Sequence, residues 1–292
     1  MPKLSKKAKW AGGLAEWQEG NTTYLSVAFT YKVDEAVRRA TAATVSGHQV
    51  VVGGPAVFLP QIQRRFVGVA TLGNAYPEAV IKHNVDATFA SRGCPVGCWF
   101  CIVPKLEGRE FTLYPDFTVR PILCDNNLSG LPFEYQQHII QRYKHSGVPL
   151  LDANSGFEPR TFSDDIYMLW RDTINKGRGP WRFAYDDMKE RDDCLRVMQM
   201  LRAEPASRKR VYVLIGNEPF AECMMRIDEV IAHGCEPHVQ PVMALNTLIK
   251  KPLVRHDWTE QLLKDVARWA NGFVWRKAPF KDYDRKRTNR KV

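Results

Sequence analysis

The chain has 292 residues, a mass of 33.5 kDa and a formal net charge of +10, which allows one large domain or one domain with a small companion. Hydrophobic residues make up 45% and charged residues 25% of the sequence, so a disordered or fibrous protein is excluded. The sequence contains neither an apolar run near the roughly 18 residues of a membrane span nor a signal-peptide core, so we expect a cytoplasmic protein without membrane contact. In such a protein, seven cysteines indicate metal or redox chemistry rather than disulfides.

The first predicted elements form a small β-α-β unit within residues 1–80. The run Tyr24–Tyr31 is rich in β-branched and aromatic residues and predicts a strand. A helix is predicted over Asp34–Ser46, with Asp34 as its N-cap. The short apolar run Gln49–Val52 predicts a second strand, which ends at a Gly-Gly-Pro turn. This unit resembles half of an open α/β domain.

From about residue 84, predicted strands and helices alternate regularly. The strands are expected at Ala87–Ala90, Val119–Cys124, Pro149–Leu151, Trp181–Tyr185, Arg210–Ile215 and His238–Met243. The helices are expected near Phe133–His145, Ser163–Asn175, Met188–Arg202 and Pro219–His233. Such alternation favours a parallel sheet, and the fold class predicted for residues 81–255 is α/β, a partial (β/α)6 barrel. The chemistry of such barrels lies where the strands end.

Residues 256–292 are predicted to form a last helix and a basic tail. Residues 276–292 carry eight basic and two acidic residues, and residues 1–9 carry four lysines and no acid. The two ends account for the whole net charge, so the body between them is neutral. They either hold the phosphates of a nucleic acid or serve as solvated ends that aid solubility. Phe280 and Tyr283 either stack on bases or dock the tail onto the fold.

The strongest chemical signal is a group of three cysteines directly after the first barrel strand. Cys94, Cys98 and Cys101 have the spacing C-x3-C-x2-C in the sequence SRGCPVGCWFC. Three thiolates on one short loop can hold three irons of a [4Fe-4S] cluster and leave the fourth iron open. Gly93 and Gly97 allow the loop to wrap a bulky cluster without Cβ clashes.

With Phe100 just before the last cysteine, the motif resembles the signature of the radical S-adenosylmethionine (radical SAM) superfamily. The resemblance implies that Cys94, Cys98 and Cys101 are the metal ligands of a [4Fe-4S] cluster, and that the open iron binds the amino and carboxylate groups of S-adenosylmethionine. It implies reductive cleavage of S-adenosylmethionine to methionine and a 5′-deoxyadenosyl radical, which abstracts hydrogen from a substrate. A reductant such as flavodoxin or ferredoxin is the implied partner.

Three other interpretations compete for these cysteines. A structural zinc site normally takes four ligands, and a purely electron-transferring cluster normally takes four cysteines. Buried unreactive cysteines are common singly, but three within eight residues are not. The remaining cysteines are scattered, which argues against an auxiliary cluster and indicates ordinary core residues, with the role of Cys124 left open.

The end of the second barrel strand reads Cys124-Asp125-Asn126-Asn127. Related radical SAM enzymes often carry a Gly-Gly-Glu-like segment here that contacts the methionyl amino group, and this chain lacks the glycine pair. Asp125 can still accept from an ammonium, and the amides of Asn126 and Asn127 can bind the cofactor. Equally, the segment forms an Asx-rich turn before the next helix.

The later strand ends supply further candidates for cofactor binding. Asp152 and Asn154 alternate along the chain and share one side of a strand, while Arg160 either pairs with a carboxylate of the cofactor or closes a loop by a salt bridge. At the fourth strand end Asp186 is expected to face the cavity and Asp187 to cap the next helix.

The last two strands end in a glycine turn and a polar pair. Gly216 permits close approach of an adenine in related enzymes, or forms a simple turn. His238 and Gln240 alternate on the sixth strand and are expected to reach inward, although a lone strand histidine is more often structural than catalytic.

The N-terminal unit looks like a shortened form of the domain that precedes many cobalamin-binding radical SAM enzymes. The Asp-x-His-x-x-Gly pattern of those domains occurs nowhere in the sequence, and about 80 residues is short for such a domain. We therefore expect a scaffold unit and no cobalamin. The expected function is radical SAM chemistry on a nucleic acid or nucleotide, or on a peptide or small metabolite. The alternative is a non-catalytic Fe-S protein that binds nucleic acid.

Overall fold

The computed structural model describes residues 10–73, 79–154, 156–245 and 247–283. Most of the basic residues in the two ends, which carry the predicted nucleic-acid contacts, lie outside the described residues. The chain divides into two compact units, which do not follow the order of the sequence. The first spans residues 10–126, 141–150 and 244–251, and the second spans residues 127–140, 151–243 and 252–283. The predicted domain boundaries at residues 80 and 255 stay predictions.

A four-stranded sheet in the order β1-β2-β3-β4 builds the start of the first unit. Its elements are β1 (Leu14–Glu19), β2 (Thr22–Val27), α1 (Val33–Val45), β3 (Gln49–Gly53) and β4 (Thr71–Leu72). β1 is antiparallel to β2, whereas β2, β3 and β4 are parallel. Leu25, Val27 and Val52 pack with Ala36 and Phe66 in a buried core.

This sheet confirms the predicted β-α-β unit and adds a strand, β1, that the sequence analysis did not include. The prediction of Asp34 as the N-cap of α1 is wrong, because the helix is entered from a 3-10 turn over Thr30–Lys32. Lys32 therefore takes the N-cap position and Asp34 lies in the first turn, where a carboxylate still interacts favourably with the helix dipole.

The remaining elements of the first unit are short: α2 (Pro60–Gln63), α3 (Ala79–His83), β5 (Ala87–Thr88), β6 (Ser91–Arg92), α4 (Val103–Leu106), β7 (Thr112–Leu113) and β8 (Ile122–Leu123). β5 and β8 are parallel, as predicted for the first two barrel strands. Both are shorter than predicted. One reason is that the N–H of Ala90 binds the side chain of Asp125 instead of a neighbouring strand. β6 and β7 form an antiparallel hairpin.

The following elements are α5 (Phe133–Ser146), β9 (Asp152–Ala153), α6 (Asp164–Gly177), β10 (Trp181–Ala184), α7 (Arg191–Met200), β11 (Lys209–Ile215), α8 (Phe220–Ala232), β12 (Glu236–Pro241) and α9 (Glu260–Asn271). The predicted helices of this region and its last three predicted strands are present with shifted ends. The predicted strand Pro149–Leu151 is wrong in position, because the strand found here, β9, is formed by the two residues that follow it. In the second unit β10, β11 and β12 form a parallel sheet. One of its faces packs on α8 and α9 through Val211, Val213, Ile227 and Leu263.

The described part of the C-terminal segment docks onto the core of the second unit. The ring centroid of Phe280 lies 5.5 Å from that of Trp269 and 6.0 Å from that of Phe220. Tyr283 stacks on Phe280 with 5.9 Å between the centroids. These rings are used for packing, which supports the docking interpretation over base stacking.

The architecture is mixed α/β, with its strands in several small sheets. These strands do not close into a barrel within the part of the chain that the structure describes. None of the helices described is long and apolar enough to cross a bilayer.

Candidate metal centre: the cysteine loop

The three cysteines lie in the loop that joins β6 to β7, so a hairpin holds both ends of the loop. At its base Ser91 is opposite Leu113, and Arg92 is opposite Thr112. The backbone N of Cys94 donates to the carbonyl of Gly108 at 3.3 Å. Backbone hydrogen bonds thus close the cysteine loop at its base.

Gly93 is required where the two arms of this loop touch. Its φ is +87°, and a Cβ at this position would lie 2.0 Å from the carbonyl oxygen of Glu110. Any side chain would therefore push the arms apart immediately before Cys94.

Gly97 places a turn of the loop against a cation. Its φ is +73°, and an added Cβ would lie 2.9 Å from the guanidinium carbon of Arg109. A positive charge at this place would offset the negative charge of Cys94 and Cys98 if they bound a metal as thiolates.

The third cysteine leads into a short helix. The N–H of Cys101 donates to the carbonyl of Cys98 at 3.1 Å, and the N–H of Val103 donates to Sγ of Cys101 at 3.4 Å. Hydrogen bonds to cysteine sulfur are among the interactions that tune Fe-S clusters. Phe100, the aromatic residue of the motif, is half-buried and packs edge-to-face on the exposed Trp99.

The loop fits a cluster in its donors and backbone, but its side chains are not gathered. Cys94, Cys98 and Cys101 are half-buried, and no disulfide engages them. Among the described residues, no three His, Cys, Asp or Glu side chains are arranged to hold a metal ion. The fit therefore rests on the three thiols, the two positive-φ glycines and the hydrogen bond to Cys101.

An ion pair between Arg92 and Glu107 ties the loop to the end of β8. Oε2 of Glu107 accepts from the backbone N of Gly93 at 3.1 Å and from Nδ2 of Asn126 at 2.6 Å. Arg92 donates to the carbonyl of Cys124 at 3.2 Å. Glu107 was not among the predicted site residues, and its only sequence signal is a charged side chain shortly after the motif.

Asp125 is completely buried beneath the cysteine hairpin. Its Oδ1 accepts from Oγ of Ser91 at 2.5 Å, and its Oδ2 accepts from the backbone N of Ala90 at 2.9 Å. Burial raises the pKa of Asp125 to about 6, although these hydrogen bonds act in the opposite direction. In this position the carboxyl group holds the strand that enters the cysteine loop. Its predicted contact with a cofactor ammonium stays a prediction.

The two asparagines after Asp125 take different parts. Asn126 belongs to the first unit and donates to Glu107 and, at 3.3 Å, to the carbonyl of Gly93. Asn127 belongs to the second unit, where its Oδ1 accepts from the backbone N of Gly130 at 2.9 Å. Asn127 thus makes the side-chain-stabilised turn that the sequence left as one of two interpretations.

In the second unit, Arg160 makes salt bridges with two carboxylates. Its Nε lies 2.6 Å from Oε1 of Glu158, and its guanidinium lies 3.4 Å from Oε1 of Glu190. Of the two roles predicted for Arg160, the structure contains the salt bridge that closes a loop. Asn154 follows β9 directly and is half-buried.

Asp186 and Asp187 follow β10, and the predicted capping role of Asp187 is confirmed, whereas the predicted cofactor contact of Asp186 stays a prediction. Asp187 caps the next turn, since its Oδ1 accepts from the backbone N of Lys189 at 2.8 Å. Burial, together with the charge of Glu190, raises the pKa of Asp186 to about 7. The backbone N of Asp186 donates to Oε2 of Glu190 at 2.9 Å.

Gly216 ends β11 at a place where the chain is crowded. With φ at +86°, an added Cβ would lie 3.1 Å from Cδ2 of Leu263 and 3.3 Å from the carbonyl of Leu253. The positive φ and the close contacts with Leu263 and Leu253 explain why a glycine occupies this turn. The predicted adenine contact stays a prediction.

A buried arginine that the sequence analysis did not single out connects two strand ends. Arg226 of α8 is fully buried, donates to the carbonyls of Tyr185 and Leu214, and forms a 2.9 Å ion pair with Glu218. The sequence gives no sign that Arg226 is buried, because an arginine on an amphipathic helix is normally expected on its exposed face.

Polar side chains cross the strands of the second unit in one row. Arg182 pairs with Asp152 through two bonds of 2.6 and 2.7 Å and donates to the hydroxyl of Tyr212. The ring of His238 lies 4.9 Å from that of Tyr212. Burial and the charges of two arginines lower the pKa of His238. Gln240 is exposed.

The predicted site residues therefore fall into two groups. The first unit brings the cysteine loop together with Asp125 and Asn126. The other predicted residues belong to the second unit: Asn127, Asn154, Arg160, Asp186 and Gly216. Cys194, Cys223 and Cys235 are buried core residues as predicted, whereas Cys124 is half-buried.

Comparison of the sequence with models of known protein families gave no match, and comparison with curated proteins gave none either.

Proposed function

We propose that this chain is a radical SAM enzyme that uses a [4Fe-4S] cluster held by Cys94, Cys98 and Cys101. The observation that carries the proposal is the C-x3-C-x-Φ-C spacing on a hairpin loop whose glycines, Gly93 and Gly97, both have positive φ. When bound, such a cluster supplies the electron that cleaves the sulfonium of S-adenosylmethionine, which yields methionine and a carbon radical able to take hydrogen from a substrate.

The chain's own residues shape and position the loop. The closed hairpin and the contact between Gly93 and Glu110 restrict where the thiols can lie. Arg109 offers a positive charge beside the turn at Gly97. The carboxyl groups of Asp125 and Glu107 fix the incoming strand and the first residue of the loop. In this proposal Asp125 and Glu107 are positioning residues.

The fold that accompanies this function is a partial (β/α)6 barrel. It is supported within the first unit by the parallel pair β5 and β8, and within the second by the parallel sheet β10-β11-β12 with helices between its strands. Parallel strands joined by helices are the building units of such barrels.

The deciding experiment is anaerobic reconstitution with iron and sulfide. We expect close to four irons per chain and the brown absorption of a [4Fe-4S] centre. Each of the changes Cys94→Ala, Cys98→Ala and Cys101→Ala should remove it, whereas Cys235→Ala, at a buried core position, should leave it intact. A cluster that survives the loss of any one of the three cysteines would overturn the assignment.

Turnover separates an enzyme from a protein that only binds an Fe-S cluster. The dithionite-reduced protein should release 5′-deoxyadenosine from S-adenosylmethionine, even slowly and without substrate. A bound cluster with no reductive cleavage would favour the non-catalytic alternative. S-adenosylhomocysteine as the sole product would instead favour polar methyl transfer.

A nucleic-acid substrate held by the basic ends is the finer part of the proposal. Its support is the placement of the whole net charge of +10 in those ends. Aromatic stacking adds nothing to it, because Phe280 and Tyr283 pack on the protein core. Full-length protein should bind RNA or DNA at low salt, with a logarithmic salt slope of about −0.7 to −0.9 per phosphate contact. Absence of such binding would remove this substrate class.

A further inference from the structure

The first unit contains a cavity of about 550 Å³ whose lining includes none of the three motif cysteines. It is lined by Ser26 and Ala28 at the end of β2, by Gly53 and Gly54 at the end of β3, and by Gly73 just after β4. Ligands of open α/β sheets bind outside the carboxyl ends of parallel strands. The volume is within the range of small-molecule sites, which is about 300–1,000 Å³.

The walls of this cavity are rich in aromatic rings. Trp17 and Tyr24 stack on each other with 5.3 Å between centroids and an angle of 10°. Phe89 and Tyr114, whose centroids are 5.7 Å apart, belong to the same lining. Aromatic walls favour a flat ligand with an extended π surface.

The polar groups of the lining add no net charge. Oγ of Ser26 lies 3.0 Å from Nε2 of His83, and burial lowers the pKa of His83, which favours a neutral ring. Arg92 and Glu107 also line the cavity, and they neutralise each other in their ion pair. A phosphate or a zwitterionic amino acid would find no unbalanced counter-charge among the described lining residues, and burying an uncompensated charge is costly.

The same ion pair connects the cavity with the cysteine loop. Glu107 accepts from the backbone N of Gly93, the residue before Cys94. A ligand in the cavity would therefore contact the pair that holds the first residues of the loop.

We infer that this cavity binds an uncharged planar heterocycle with hydrogen-bonding edges, of nucleobase or nucleoside size. The inference that it is a binding site depends only on the cavity and its lining. Its role as the substrate site rests on the proposed function.

The test is calorimetric titration of the full-length protein with adenosine and guanosine, and with AMP and tryptophan as charged counterparts. At least one nucleoside should bind with a Kd below 1 mM, and AMP and tryptophan should bind at least tenfold more weakly. Val80 lines the cavity from α3, so Val80→Phe should weaken nucleoside binding at least tenfold. Val45→Phe, at a position 83% exposed, is the matched control and should change nothing.

Ala28→Phe fills the cavity from the end of β2, and it replaces Val80→Phe in the test if that variant does not fold. Nucleoside binding should persist in Cys94→Ala, which separates this inference from the cluster assignment. If Cys94→Ala binds a nucleoside but the intact protein does not cleave S-adenosylmethionine, the cavity inference is supported and the proposed enzyme function is contradicted. Failure of both nucleosides to bind, tighter binding of AMP, or undiminished binding by a folded filled variant would overturn the inference.

Discussion

Oε2 of Glu107 lies 3.1 Å from the backbone N of Gly93, so a carboxylate beyond the last cysteine holds the residue that precedes the first cysteine. The same carboxylate pairs with Arg92 and accepts from Asn126. One side chain thus holds the start of the loop that is proposed to carry the metal ligands and ties it to the residues after β8.

Replacing Glu107 by Gln should loosen this loop. The variant loses the charge that pairs with Arg92, whose side chain is 26% exposed, so we expect about 1–3 kcal/mol of destabilisation. Thermal unfolding should show it as a drop in Tm of several degrees, and reconstituted iron content should fall. Glu110→Gln, in the exposed part of the same loop, is the control and should leave both unchanged. Equal values for the two variants would contradict the positioning role.

Gly93→Ala should be far more harmful than Gly108→Ala. Both glycines have positive φ, +87° and +88°, so each alanine carries a similar backbone strain of about 1–2 kcal/mol. Only the Cβ at residue 93 collides with a backbone atom, the carbonyl oxygen of Glu110, while the Cβ at residue 108 meets open space. Iron content after reconstitution should collapse in the first variant and persist in the second. A Gly93→Ala protein with full iron content would show that the arms of the loop can separate freely.

The buried Asp125 should make stability fall as pH rises through a defined window. Its pKa is about 6 in the folded chain and about 3.9 when unfolded, so the unfolded state releases its proton first. Between about pH 4 and 6 the wild type should therefore lose about 3 kcal/mol relative to Asp125→Asn, and no more above that window. Denaturant unfolding at a series of pH values measures the difference. Asp116→Asn, at a fully exposed carboxylate, should show no such trend.

Arg226→Met should destabilise the second unit strongly. The variant leaves two backbone carbonyls and Glu218 without their buried cation, and breaking such a pair from one side costs about 3–5 kcal/mol. Arg191→Met removes a 2.6 Å ion pair from an arginine that is 44% exposed, and should lower stability far less, because solvent screens exposed ion pairs. Similar unfolding midpoints for the two variants would contradict the role assigned to Arg226.

The elements of the second unit could be predicted from the sequence because burial there follows simple patterns. Val211, Val213 and Ile215 alternate in a strand, and Ser163 marks the start of a helix through its side-chain hydrogen bond to Ile166. The first unit was harder. β1 is an edge strand with polar residues at half its positions, and β6 and β7 have two residues each, too few for a periodic signal.

The candidate site was predictable only where residue type alone carries the chemistry. The cysteines and the glycines beside them have a characteristic spacing, whereas Glu107 and Arg226 act through partners far away in sequence. Asp125 was recognised by its place at a strand end, but that place did not reveal that Ser91 and Ala90 would occupy its oxygens.

The discontinuous division of the chain has a consequence for its synthesis. The first unit includes residues 244–251, so it lacks one of its segments until most of the polypeptide has been made. At about 5–20 residues per second, translation from residue 127 to residue 251 takes on the order of 10 s. During that interval the cysteine loop already exists beside an incomplete unit. If the proposed cluster forms, it can meet a complete first unit only after residue 251 has been synthesised.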